Sequence, residues 1–128
     1  MQLSINRESL LKAINLIAKA ADKRHNMVIL GNIKLQLSEG ALILTASDLE
    51  VELTSTLKLP AGACIEAGTT TLPATKLRDI CKSLPSQAQV NLTTQENERC
   101  LLTSGKSRFT LGTLPSEDYP SLGNPENI

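Results

Sequence analysis

The sequence predicts an α+β domain built from two similar halves, and three observations carry that expectation. Short runs alternate apolar and polar residues, as half-buried strands do. Two other stretches repeat apolar residues at helical spacing. The order strand, helix, three strands occurs twice along 128 residues, a length that suits one compact domain. The repeat is one of organisation more than of identity. It implies two helices packed on antiparallel sheet. A pseudo-twofold relation between the halves would set the helices side by side, with their polar faces forming one surface.

The first half opens with QLSI, residues 2–5, which alternate as a short strand. The next run, NRESLLKAINLIAKAADK, reads as a helix. Leu10, Leu11, Ile14, Ile17, Ala18 and Ala21 form its apolar stripe, with Asn6 placed as N-cap. Lys12, Lys19 and Lys23 fall nearly opposite that stripe, where a solvated face is the ordinary reading. Three strands follow: NIKLQLS, ALILTAS and LEVELTSTLKL, the first two joined by a turn at Glu39-Gly40. In the third, Leu49, Val51 and Leu53 are placed on one side and Glu50 and Glu52 on the other.

The second half begins with TTTL, residues 69–72. PATKLRDICKSLP then reads as a helix with Pro73 near its first turn and Pro85 as its stop. Leu77, Ile80, Cys81 and Leu84 occupy its stripe, while Lys76, Arg78 and Lys82 lie off it, diluted by Asp79. AQVNLTTQ, RCLLTS and SRFTLGTL are again three strands. The tail from Pro115 to Ile128, rich in Pro, Ser, Gly and Asn, has the composition of a linker.

Composition excludes several function classes. Apolar residues make up 41% of the chain, enough for a core, but aromatics only 2%. One Phe and one Tyr cannot build the stacking platforms of single-strand binders. With 13 basic and 13 acidic residues the formal net charge is zero, which argues against gripping nucleic acid by bulk charge. Two adjacent basic helices still leave room for a local polyanion surface. Cys64, Cys81 and Cys100 form no C-x-x-C pair and are odd in number, so reduced and mostly buried thiols are expected. No signal peptide or membrane-spanning run is evident, and a cytoplasmic location is expected.

Catalytic chemistry finds little support. The single histidine, His25, lies in a polar loop beside Lys23 and Arg24, and any Ser–His or Cys–His dyad would have to use it. No glycine-rich phosphate loop occurs. Asp48, Glu50 and Glu52 alternate with apolar residues, as the solvent face of a strand does, and lack further metal ligands. No metal, cofactor or enzymatic activity is expected.

Four stretches together carry a family resemblance. MVILGNIKLQL, LTASDLEVEL, TTLPATKLRDICKSLP and GKSRFTLGTLPSEDYPSL resemble, in order, the first domain of the bacterial DNA sliding clamp, the beta subunit of the replicative DNA polymerase. The likeness runs from Met1 to about Leu122, with 123–128 as the start of a linker. S-R-F-T-L-x-T-L-P followed by Y-P is its most specific part. The resemblance implies a clamp-fold domain of a head-to-tail ring around duplex DNA, non-catalytic, which keeps the polymerase on its template. Helices would line the hole and sheets form the outer wall. Weak, sequence-independent DNA contacts would come from Arg24, with Lys23, Lys12, Thr75 and Arg78 alongside. Thr75 stands where the family carries a basic contact, which weakens that contact or shifts it to Lys76 or Arg78.

The ring would close against the third domain of a second subunit. Lys76, Arg99, Lys106 and Arg108 match the family's basic interface positions, and Phe109 and Leu111 its apolar ones. Polymerase and clamp loader would bind parts of the full-length protein outside this chain. Alternation puts Lys106 and Arg108 on one face of a strand, and Phe109 and Leu111 on the other. The competing reading is a protein-interaction module without a nucleic-acid role.

Overall fold

Strand β1 (Gln2–Asn6) ends in the residue that starts helix α1 (Arg7–Ile17). The Asn6 side-chain oxygen accepts hydrogen bonds from the amides of Glu8 at 2.8 Å and Ser9 at 3.4 Å. Two first-turn donors are thereby satisfied, as an N-cap requires. The structure, a computed structural model, describes residues 1–21 and 28–120. Leu10, Ala13, Ile14 and Ile17 are the buried stripe of α1. The α-helix stops at Ile17, short of the expected end, and continues as a 3-10 turn over Ala18–Ala20. In this tighter turn Ala20 is buried in the core, and Ala21 packs half-buried against it.

Helix α2 (Ala74–Ser83) follows Pro73, which serves as its N-cap residue. Ala74, Leu77 and Cys81 are its buried face. Strands β2 (Asn32–Ser38), β3 (Ala41–Ser47) and β8 (Arg99–Ser104) fall where the alternation places them, and β7 (Gln89–Gln95) falls within one residue of it. Strand β6 (Gly68–Pro73) is one residue longer at each end than expected.

Three strand details differ from the sequence expectation. Strand β4 (Glu52–Lys58) starts later, because residues 48–51 form a turn. Asp48 Oδ1 accepts from the amides of Glu50 at 2.9 Å and Val51 at 2.7 Å, and Leu49 sits at φ 77°. Leu49 and Val51 therefore do not extend the apolar face of Leu53, and Val51 is exposed. The carboxylate of Asp48 is used in that turn. A short strand, β5 (Cys64–Glu66), lies where none was expected. The last strand, β9 (Ser107–Gly112), begins at Ser107 as expected, after a two-residue turn at Gly105 and Lys106, but ends two residues earlier than SRFTLGTL would.

The antiparallel sheet is divided in two. One sheet has the order β5-β1-β7-β8-β9 and the other β4-β3-β2-β6. Leaving out β5, the two follow one plan, with β1, β7, β8 and β9 matching β6, β2, β3 and β4. Each helix carries the chain from one sheet to the other: α1 links β1 to β2, and α2 links β6 to β7. Each sequence half therefore lends its first strand to the sheet of the other half. A single apolar core joins both sheets and both helices, from Leu3 and Ile5 through Leu35, Leu44, Leu77 and Leu92 to Leu102.

The two sheets are tied together at Thr71. Its hydroxyl accepts from Asn32 Nδ2 at 3.0 Å and donates to the Leu114 carbonyl at 2.8 Å. The chain then turns through Ser116–Asp118 to Tyr119, which is buried, with its hydroxyl 3.4 Å from the carbonyl oxygens of Asn32 and Thr45. Pro115 to Pro120 thus belong to the fold, despite their linker-like composition. Residues 123–128, the expected linker, lie outside the described residues.

Burial raises the Cys81 and Cys100 thiols to about 11 and the Tyr119 phenol to about 12. These groups stay neutral in the folded state at pH values where the unfolded chain has begun to lose their protons. Their contribution is complete below about pH 9, the ordinary value of the thiols, and is lost as pH rises through 11 to 12. Urea midpoints measured from pH 7 to 11 should hold level to about pH 9 and then fall. A midpoint that rises above pH 9 would contradict this burial.

Candidate functional site

Helix α2 presents two flanks of different character. At about 100° per residue, Lys76 and Ile80 lie on one side and Arg78 and Lys82 on the other. The first flank faces β9. Lys76, Asp79 and Ile80 of α2 and Phe109, Thr110 and Leu111 of β9 line an open groove of about 340 Å³. Lys76 therefore belongs with β9, and is separated from the polar surface that Arg78 and Lys82 would share with α1.

Among the described residues, strand β9 is the outermost strand of its sheet and pairs only with β8. Its register sets Phe109 opposite Leu102 and Leu111 opposite Cys100. The inner face is thus apolar as expected, but its two residues differ. Leu111 is 4% exposed and joins the core, whereas Phe109 is half-buried and packs at the core's margin. An interface here would use Phe109 and Ile80, with Leu111 already covered by its own domain. Ile80 was readable only as a stripe residue, and its place at the groove depends on how far α2 stands from β9.

The four expected interface cations surround β9 without forming one cluster. Lys76 stands on the helix side of the groove. Arg108 is exposed and alternates with Phe109, so it points to the outer face of the sheet. Lys106 occupies the tip of the β8–β9 turn and not a strand position, so it does not share a strand face with Arg108. The turn has Gly105 at φ 56°, the left-handed conformation that tight hairpins use. Arg99 lies at the start of β8 and donates through Nη1 to the Glu98 carbonyl at 3.2 Å, bracing the β7–β8 turn.

On the helix layer, Lys12 is exposed on α1 and Thr75 is half-buried in the first turn of α2. Arg78 is also half-buried, and its Nε is enclosed without a hydrogen-bond partner among the described residues. Lys23 and Arg24 lie outside the described residues. Leu16, an apolar residue outside the helical stripe, is exposed on α1 between Lys12 and Lys19. Among the described residues no helix is long and apolar enough to cross a membrane.

The family described as DNA polymerase III beta subunit, N-terminal domain, matches residues 1–123. The chain belongs to this family. It is 43% identical over 122 residues to the beta sliding clamp of Haemophilus influenzae, covering 95% of this chain and 32% of that protein. Against the beta sliding clamp of Escherichia coli K12 the identity is 42% over the same length and shares. Among solved structures, the DNA polymerase III subunit beta of Pseudomonas aeruginosa superposes with a TM-score of 0.89 at 40% identity, over 97% of this chain and 32% of that one. The beta sliding clamp of Caulobacter crescentus gives 0.91 at 32% identity, over 98% and 33%. The chain thus spans about one third of the length of these relatives. The two-helix, two-sheet α+β architecture is that of solved sliding clamps.

Proposed function

We propose that this chain is the first domain of a ring-shaped sliding clamp that encircles duplex DNA and holds the replicative polymerase on its template. The observation that carries the reading is the likeness of nearly the whole fold to solved clamps, at TM-scores of 0.89 and 0.91. The relatives are three times longer, so the ring itself would need the rest of such a protein. The role is mechanical and non-catalytic, and the setting is the cytoplasm.

The polar faces of α1 and α2 would face the DNA. Lys12 and Arg78 supply cations from the described helices, Thr75 lies beside them, and Lys23 and Arg24 complete the set. Because Lys76 flanks the β9 groove, Arg78 is the better substitute for the basic contact that Thr75 lacks. A ring retains DNA by topology, so a few phosphate contacts suffice and a net charge of zero is no obstacle.

The open edge of β9 would meet a second copy head to tail, through that copy's third domain. Phe109 and Ile80 would supply the apolar contact, while Lys76, Arg99, Lys106 and Arg108 would face carboxylates. Polymerase and clamp loader would bind the full-length protein through parts outside this chain.

The test loads full-length protein onto closed circular DNA. Retention on the circle, followed by loss when the DNA is linearised, is expected. Equal retention on both forms, or on neither, would favour a protein-interaction module without a nucleic-acid role.

A further inference from the structure

Arg7 and Glu8, the first two residues of α1, reach across to the far end of α2. Arg7 Nε donates to the Cys81 carbonyl at 2.8 Å and Nη2 to the Lys82 carbonyl at 3.3 Å. Its Nη1 donates to Glu8 Oε2 at 2.5 Å. The other Glu8 oxygen accepts from the Gln87 amide at 2.8 Å. The Arg7 amide itself donates to the Ala88 carbonyl at 2.8 Å. The start of α1 is thus stitched to the last turn of α2 and to the loop that follows.

Helix α2 has few other means of finishing that end. Its last turn has no glycine cap. Leu84 N reaches the Cys81 carbonyl only at 3.3 Å, and the Ser83 hydroxyl takes the Ile80 carbonyl. The Arg7 guanidinium supplies the missing donors and sets positive charge at the negative end of the helix dipole. Gln87, held by Glu8, sits at φ 67°, a conformation that a non-glycine residue keeps only when its surroundings impose it. The matching position at the start of α2 is Ala74, which is buried and has no side-chain donor. Among the described residues the brace therefore exists at one end of the helix pair only.

We infer that Arg7 is a positioning residue, which with Glu8 fixes the last turn of α2 against the start of α1 and so holds the DNA-facing helix surfaces in one arrangement. This role rests on the sliding-clamp reading above. Arg7 is not itself a phosphate contact. Its guanidinium is committed to two carbonyls and a carboxylate, and its side chain is 17% exposed. The brace acts on the turn carrying Cys81 and Lys82, at the C-terminal end of α2.

The experiment uses the full-length protein as wild type, Arg7→Met and Arg7→Lys. Binding to a short duplex is measured by fluorescence anisotropy across a salt series, well below the melting temperature. Arg7→Met should weaken binding roughly two- to fivefold, with the slope of log K against log salt unchanged. Arg7→Lys should not restore it, because an ammonium cannot span the two carbonyls and the carboxylate. Amides of the last turn of α2 and of Gln87 should exchange faster in both variants. If Arg7→Met does not fold, Glu8→Ala releases the Gln87 half of the brace, with the same readouts expected at smaller amplitude.

A slope reduced by roughly one unit would make Arg7 a phosphate contact and overturn the inference. Unchanged binding with only a lowered melting temperature would also overturn it, leaving a purely structural residue. Wild-type protein that binds no duplex at any salt would sink the DNA reading itself, and this role with it.

Discussion

Replacing Phe109 by alanine in the full-length protein should turn a dimer into a monomer, while the domain carrying the change stays folded. The ring is joined through β9 in the proposed assembly, and Phe109 is the large apolar side chain at that edge. It is half-buried, at the margin of the core, so truncation removes little from the domain's own packing. In an interface the same ring would be enclosed between the partner and Ile80 across the groove. Losing a central aromatic anchor of this kind costs about 2–4 kcal/mol, a weakening of roughly 30- to 1,000-fold. Light scattering over a concentration series reads the change directly. A dimer that persists unchanged at micromolar concentration would place the seam elsewhere.

Leu111→Ala should behave in the opposite way. Two residues further along the same strand, Leu111 is 4% exposed and packs in the central core, opposite Cys100 on β8. Truncation leaves a cavity that the surrounding strands cannot close. The cost is about 2–4 kcal/mol of folding stability, or a melting temperature lowered by roughly 10 °C for a domain of this size. Calorimetry on the 128-residue chain tests it. A melting point within about 2 °C of wild type would show that Leu111 is not a core residue. The contrast is the useful part: one strand face supplies both a candidate seam residue and a core residue. A double Phe109–Leu111 variant would confuse loss of assembly with loss of fold.

How far these roles were legible depends on the range of the interactions behind them. The strands NIKLQLS, ALILTAS and RCLLTS were bounded correctly because alternation and turn residues are local signals. The N-cap at Asn6 was equally plain, since its two hydrogen bonds reach only Glu8 and Ser9. Strand β5 was missed because three residues carry no period, and CIE is a strand only through its pairing with β1. Leu49 and Val51 were misplaced because the alternation continues through a turn that Asp48 closes with its own side chain. At the site, the apolar face of SRFTLGTL was visible, as were the cations around it. Lys106 was assigned to a strand face because its turn depends on where β8 and β9 begin to pair.

The tail shows the same division. Its composition resembled a linker, yet Tyr119 is buried, with its hydroxyl beside carbonyls of β2 and β3, contacts that no neighbouring residue announces. Local propensity, periodicity and capping established two helices, most of the strands, their doubled order and, with the resemblance, the clamp family. Those signals act over one or two turns of chain. The exchange of first strands between the halves, the division into two sheets, the Arg7 brace and the separation of Phe109 from Leu111 were settled only by folding. Most of these depend on groups far apart in sequence, such as Gln2 and Thr93 in the exchanged strand pairing, Thr71 and Leu114 between the sheets, or Glu8 and Gln87 in the brace. Which distant groups meet is decided by packing a single core at full density, and no local pattern in the chain encodes that.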